Sequence, residues 1–325
     1  MQKISVIGAG SWGTTLAILL SEKGIDVKLW CRREELAREI KSKRENTQYL
    51  PGVKIPDNLI IENSLENSLE NSEIVFNVVP SEFVRSTLKS IKPYFKNQII
   101  VSATKGMEHS TSKRMSQVIE DELGNAKIAV LSGPNHAEEV SRKMPTASVI
   151  ASKDKKTAKA VADCLATPYF KVYQLNDVVG VEICGALKNI TAIATGVCDG
   201  LGIGDNAKAS IITLGLMEMN SFGRHFGAKR GTVYGIAGVG DLIATCMSKY
   251  SRNRFIGEQF AKNKPMQEIK KEMHGMVAEG IPTTKAVYEY SSRHKIEMPL
   301  TKQAYEVIFE GKNIKQAMKD LLELI

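Results

Sequence analysis

Apolar residues follow two different rhythms along this chain. In the first half they come in short β-rich runs, at residues 3–7, 26–30, 73–79, 98–103, 127–132, 147–152 and 170–174. Runs of this length and composition suit buried parallel strands. Segments of helical period lie between them, at 14–23, 81–91 and 110–123, so strand and helix alternate as in a layered α/β unit. The tetrad Glu-Asn-Ser-Leu recurs between Glu62 and Ser72 and sets Leu65 and Leu69 four residues apart, which predicts a short packed helix. Beyond Asp177 the strand runs nearly vanish. Helical segments take over at 178–199, 207–226, 241–247, 253–262 and 283–293, and a closing pair spans 301–325 with a break near Gly311. The rhythm thus divides the chain into an α/β domain over 1–176 and a mostly α-helical domain over 177–325.

The first strand runs straight into Gly8-Ala9-Gly10-Ser11-Trp12-Gly13. This is G-x-G-x-x-G between a strand and a helix, the setting in which it binds a dinucleotide pyrophosphate. Gly8 allows the tight turn, Gly10 lets a phosphate approach the backbone, and Gly13 lets the helix lie close on the strand. The helix N-terminus adds unpaired N–H groups and a positive dipole end. The expected fold is therefore a Rossmann-like parallel-sheet domain followed by the helical one. At the end of the second strand an NAD site commonly carries an acidic residue for the ribose hydroxyls, but here the chain reads Cys31-Arg32-Arg33. A guanidinium grips a 2′-phosphate that a carboxylate would repel, so NADP(H) is favoured and NAD(H) tolerated. The competing reading is two solvated arginines at a strand end.

Composition narrows the class. With 43% hydrophobic and 25% charged residues the chain is ordinary globular protein. No charged-then-apolar leader precedes the first strand, and the longest apolar stretch, 178–197, contains Glu182 and Lys188. A core helix is expected there rather than a transmembrane segment. The five cysteines show no C-x-x-C spacing, which argues against disulfides and bound metal and suits a reducing cytoplasm. The net charge of +8 is dispersed, and only 6% of residues are aromatic, so no nucleic-acid-binding stripe stands out. A phosphorylated cofactor beside a phosphorylated small molecule would use part of that charge.

Candidate chemistry gathers where parallel strands end, at Pro80-Ser81, Thr104-Lys105-Gly106 and Gly133-Pro134-Asn135. Lys105 reads as a ligand contact or as a surface lysine; Gly133 and Asn135 would offer backbone and amide groups to a small polar substrate. In the helical half, Lys188 has Cys184, Gly185, Thr191 and Ala192 as neighbours three and four residues away, all small. A desolvated lysine in such a pocket falls toward neutral pKa and can protonate an alkoxide; a snorkelling interface lysine is the alternative. Gly238-Val239-Gly240-Asp241 and Ser251-Arg252-Asn253 complete the set. Ser251 suits an N-cap and opens a helix at which a phosphate would meet hydroxyl, guanidinium, amide and dipole. Asp241 would orient Lys188, accept a substrate hydroxyl or cap a helix.

Taken in order, Gly8 to Gly13, Asn77 to Ser81, Thr104-Lys105-Gly106, Leu131 to Pro134, Gly185 to Asn189, Gly238 to Asp241, Ser251 to Asn253 and Val277 to Gly280 resemble the bacterial-type NAD(P)-dependent glycerol-3-phosphate dehydrogenases over nearly the whole chain. The resemblance implies reversible reduction of dihydroxyacetone phosphate to sn-glycerol 3-phosphate for glycerophospholipid synthesis. It implies cofactor contacts at Gly8, Gly10, Ser11, Trp12, Gly13, Arg32, Arg33, Tyr49, Lys105, Ala137, Arg252, Val277 and Glu279. Substrate would meet Lys105, Gly133, Asn135, Lys188, Asp241, Ser251, Arg252 and Asn253. Lys188 would be the acid/base, assisted by Lys105 and Asp241, with no metal. Asn135 stands where many relatives have serine. A homodimer is expected from the apolar faces of the helical half. Three rival readings are a reductase of an unphosphorylated keto acid such as ketopantoate, an NADP-binding sensor without chemistry, and a nucleic-acid binder.

Overall fold

The structure is a computed structural model that describes residues 2–273 and 275–323. Among the described residues ten strands form: β1 (Lys3–Ile7), β2 (Asp26–Trp30), β3 (Glu45–Asn46), β4 (Leu50–Lys54), β5 (Ile60–Glu62), β6 (Ile74–Asn77), β7 (Ile99–Ser102), β8 (Lys127–Ser132), β9 (Thr146–Ala151) and β10 (Phe170–Leu175). Eight of them make one sheet in the order β10-β9-β8-β7-β6-β1-β2-β5, while β3 and β4 pair as a separate hairpin. Six sheet strands are parallel, so the C-terminal ends of β1, β2, β6, β7 and β8 share one edge. The all-parallel expectation fails at one junction, where β9 pairs antiparallel to β8 and β10 follows β9 in parallel. Only the Gly133–Pro145 connection, with its short helix Ala137–Val140, links β8 to β9, and an antiparallel neighbour can be reached without a full helical crossover.

Both sheet faces are covered. One carries Leu16 and Leu20 of helix Ser11–Glu22, with Val161 and Leu165 of helix Lys155–Leu165. The other carries Val84 and Leu88 of helix Ser81–Ile91, with Val118 and Ile119 of helix Met115–Leu123. The repeated tetrad forms the helix Leu65–Leu69, capped by Ser64.

The chain divides into two compact units: Met1–Thr104 with Met115–Val178, and Lys105–Arg114 with Val179–Ile325. The second is helical. Its central helix, Val178–Leu201, is long and apolar enough to cross a membrane, yet 94% of its most apolar window is buried in protein. Around it lie helices Asp205–His225, Asp241–Met247, Arg252–Ala261, Gly280–His294, Pro299–Phe309 and Ile314–Leu322. The last two form the expected closing pair about Gly311, whose φ is +73°; residues 324 and 325 of that pair lie outside the described residues. The helix expected over 110–123 begins only at Met115, because the preceding ten residues belong to the second unit and fold back on themselves at Ser112, φ +55°.

Glu218, on helix Asp205–His225, ties that unit together. Its buried carboxylate accepts from the backbone N–H of Leu300, from that of Thr301 at 3.2 Å and from the Thr301 hydroxyl at 2.7 Å, so it serves the open N-terminus of helix Pro299–Phe309 from 80 residues away. Burial nevertheless pushes its pKa up to about 7. A folded-state pKa above the unfolded value means that this group's contribution is fully present below about pH 4.5 and is lost as pH rises through 7. Glu218→Leu, which strands three donors, is expected to lower unfolding free energy by about 2–4 kcal/mol. Glu218→Gln should flatten the decline of stability between pH 5 and 8; urea titrations at both pH values measure each effect.

Candidate active site

In the first unit the glycine-rich turn has the stereochemistry its sequence requires. Gly8 has φ +116°, and a Cβ on Gly13 would lie 1.8 Å from the carbonyl oxygen of Gly8. By contrast, a Cβ on Gly10 would have nothing within 4 Å. Gly10 is the N-cap of helix Ser11–Glu22 and provides no side-chain hydrogen bond, so open space meets a helix N-terminus. Those features fit a bound pyrophosphate. Ser11 is buried, and the Trp12 indole N–H is buried without a hydrogen-bond partner. At the end of β2 both arginines are exposed: Arg32 lies 5.2 Å from the Phe83 ring centre, and Arg33 donates to Gln48 at 2.5 Å and to the Tyr49 hydroxyl at 3.2 Å. After β8, Gly133 has φ +132°, the buried Asn135 donates to the Ser148 hydroxyl at 3.0 Å, and Ala137 opens a short helix. The Asn135 amide thus has an internal partner.

In the second unit three charged side chains converge although they are far apart in sequence. Asp241 is 1% exposed, and its carboxylate accepts from Lys188 Nζ through Oδ1 and from Lys105 Nζ at 2.9 Å through Oδ2. Lys188 also donates to Thr245 Oγ1 at 2.9 Å. Its side chain is 6% exposed, which rules out the snorkelling alternative. Burial drives the Lys188 pKa down to about 7; Asp241 opposes that fall and Lys105 adds to it. Burial acts against the Asp241 charge too, but the two ammonium groups outweigh it and hold the carboxyl below its ordinary value. Asp241 is not an N-cap, a position held by Gly240. It occupies the first position of helix Asp241–Met247, directly after one turn wound with a Gly240 N–H to Gly235 carbonyl bond, a π-type turn of the kind found at functional sites.

Ser251 is the N-cap of helix Arg252–Ala261, where its Oγ accepts from the Arg254 N–H at 3.2 Å. Arg252 is exposed, whereas Asn253 is buried and largely committed. Asn253 Nδ2 donates to Asn189 Oδ1 at 2.9 Å, and its Oδ1 accepts from the Gly280 N–H at 2.9 Å. Asn189 Nδ2 in turn donates to the Lys105 carbonyl at 3.1 Å. Val277 and Glu279 are half-buried just before helix Gly280–His294, with Glu279 at its N-cap. Sequence reasoning had not assigned roles to Asn189 and Thr245. Both had a local signal: Asn189 is next to Lys188, and Thr245 is one helical turn beyond Asp241.

A glycine-rich βα turn on a parallel sheet, joined in one chain to a buried lysine–carboxylate centre, defines a two-part nucleotide-dependent dehydrogenase. The chain belongs to the NAD-dependent glycerol-3-phosphate dehydrogenase family, whose N-terminal part matches residues 3–158 and whose C-terminal part matches residues 177–319. It is 48% identical to the glycerol-3-phosphate dehydrogenase [NAD(P)+] of Chlorobium phaeobacteroides, over 98% of this chain and 97% of that one. Among solved structures, the glycerol-3-phosphate dehydrogenase of Coxiella burnetii is similar at 38% identity, a TM-score of 0.96 and 99% coverage of both chains. That of Saccharomyces cerevisiae is similar at 32% identity, a TM-score of 0.84 and 99% coverage of both.

The glycine stereochemistry predicts a split between two substitutions. Gly13→Ala should destabilise the fold by about 3 kcal/mol or more, because the added carbon overlaps backbone. Gly10→Ala should shift stability by less than about 0.5 kcal/mol while weakening dinucleotide binding at least about tenfold. Thermal denaturation and fluorescence titration with NADPH report the two effects separately.

Proposed function

We infer that this chain is a glycerol-3-phosphate dehydrogenase that interconverts dihydroxyacetone phosphate and sn-glycerol 3-phosphate, with the first unit holding NAD(P)(H) and the second holding substrate. The observation that carries the mechanism is the buried Lys105–Asp241–Lys188 centre. The glycine-rich turn would hold the pyrophosphate of a dinucleotide whose nicotinamide, when bound, would supply or take up the hydride. In the reductive direction Lys188, with its pKa near 7, gives a proton from Nζ to the oxygen that becomes the hydroxyl. The Lys105 ammonium stabilises the negative charge developing on that oxygen, and Asp241 holds both lysines in place. The Ser251 hydroxyl, Arg252 and the N-terminus of helix Arg252–Ala261 would hold the phosphate, so that binding energy remote from the carbonyl orients the reacting carbon. Asn253, being tied to Asn189 and Gly280, would contribute mainly its backbone N–H and one amide hydrogen. Gly133, Asn135, Ala137, Val277 and Glu279 complete the proposed contacts.

Arg32 and Arg33 support a preference for NADP(H), since both guanidinium groups are exposed at the end of β2 and Arg33 is steadied by Gln48 and Tyr49. Exchanging both for alanine should erase the ratio of NADPH to NADH affinity; an unchanged ratio would leave them as surface charges. A cytoplasmic homodimer completes the reading. Helix Asp205–His225 packs against both Arg230–Val233 and Asp241–Met247, and Met217, Tyr234, Ile243 and Met247 on or beside these helices are exposed, apolar surface suited to a second copy. Sedimentation of the 35.8 kDa chain checks this.

The decisive assay follows loss of NADPH absorbance with dihydroxyacetone phosphate, dihydroxyacetone and ketopantoate side by side. Rapid oxidation with the phosphorylated ketone alone is expected; equal rates with ketopantoate would transfer the protein to the rival reductase class. Lys188→Ala should lower kcat by about 10²–10⁴-fold while NADPH still binds. In the unsubstituted enzyme kcat for reduction should fall as pH rises through about 7, where Lys188 loses its proton, and kcat for oxidation should rise over the same interval.

A further inference from the structure

Ten residues connect Lys105 to Arg114, and they belong to the substrate unit although their neighbours on both sides do not. The segment closes on itself. Met107 and Arg114 form an antiparallel bridge, the Glu108 N–H donates to the Lys113 carbonyl at 2.9 Å, and Thr111 donates to the Glu108 carboxylate at 2.5 Å. One face of helix Val178–Leu201 then grips it at two points. Asn189 holds the Lys105 carbonyl at one end, and Glu182 accepts from Arg114 Nη1 at the other. Seven residues separate Glu182 and Asn189, which is two helical turns, so they stand on the same face about 10 Å apart. Between these ends Met107 is 1% exposed and packs with Ile183, Leu187 and Ile190 of the same helix.

The Arg114–Glu182 pair is itself buried, with side chains 13% and 2% exposed. Removing two charges from water is expensive, and hydrophobic residues of similar volume commonly serve packing as well or better. A directional bond from a rigid, planar guanidinium to a fixed carboxylate does offer one thing that apolar packing lacks, a defined register. We propose that Arg114 and Glu182 are positioning residues that set the register of the segment against the helix and thereby hold Lys105 on Asp241. The effect passes through the bridge from Arg114 to Met107, two residues from the lysine. The proposal rests on the reading of Lys105 as a participant in the reaction.

A kinetic double-mutant cycle tests it. Arg114→Lys, which keeps the charge and loses the rigid guanidinium, is expected to lower kcat about tenfold with KM for dihydroxyacetone phosphate and affinity for NADPH changed less than about twofold. In a Lys105→Ala background the same substitution should change kcat less than about twofold, because the lysine through which it acts is gone. Glu182→Gln should repeat both results, so the test survives if one variant fails to fold. A tenfold loss in both backgrounds, or no loss in the first, overturns the proposal. Failure of the underlying reading looks different: Lys105→Ala would then turn over like the unsubstituted enzyme.

Discussion

A single carboxylate holds two ammonium groups inside this protein, and much of the helical half is arranged so that it can. Lys188 alone in that interior would be an unpaired buried charge, costing several kcal/mol. Asp241 offsets this with one oxygen and takes Lys105 with the other, giving a centre with one more positive than negative charge when all three are ionised. The surplus positive charge suits an anionic substrate and a developing alkoxide, and burial lets Lys188 release its proton near neutrality. The π-type turn before Asp241, the Thr245 hydroxyl and the Asn189 amide keep these groups in place.

Amide hydrogen bonds extend that order outward. Through Asn189 the Lys105 carbonyl is joined to Asn253, and through Asn253 to the Gly280 N–H. One buried chain of neutral groups therefore connects the lysine segment, the helix bearing Lys188, the helix opened by Ser251 and the helix that follows Glu279. Neutral amides suit this task, since each can donate and accept without adding charge to a centre already crowded with it. A displacement at any one of the four elements would be felt at the other three.

Much of this was legible in the sequence because it rests on local rules. The glycine spacing after β1 specified the turn that Gly8 and Gly13 adopt, the strand runs were nearly all strands, and Ser251 capped the helix it was expected to cap. Lys188 could be singled out from its small helical neighbours. Its partners could not, because Asp241 lies 53 residues away and Lys105 a further 83 in the other direction, and no periodicity records which distant side chains meet. The antiparallel turn at β9 was hidden for a related reason: a strand's hydrophobic pattern encodes which face is buried and says nothing of its direction. The buried carboxylate of Glu218 likewise reads as an ordinary charge on a helical stretch until its partners at Leu300 and Thr301 are known.

The discontinuity of the second unit bears on how such a protein can be taken apart. A cut near residue 177, where the texture of the sequence changes, would deliver Lys188 and Asp241 without Lys105, leaving a carboxylate made for two cations with one. Joined at that single junction to another nucleotide-binding half, the helical half would depend on a lysine supplied by its new partner. Recombination that preserves the centre must carry across the end of β7 and the ten residues after it, so the two halves of the gene are bound to a common inheritance by one lysine.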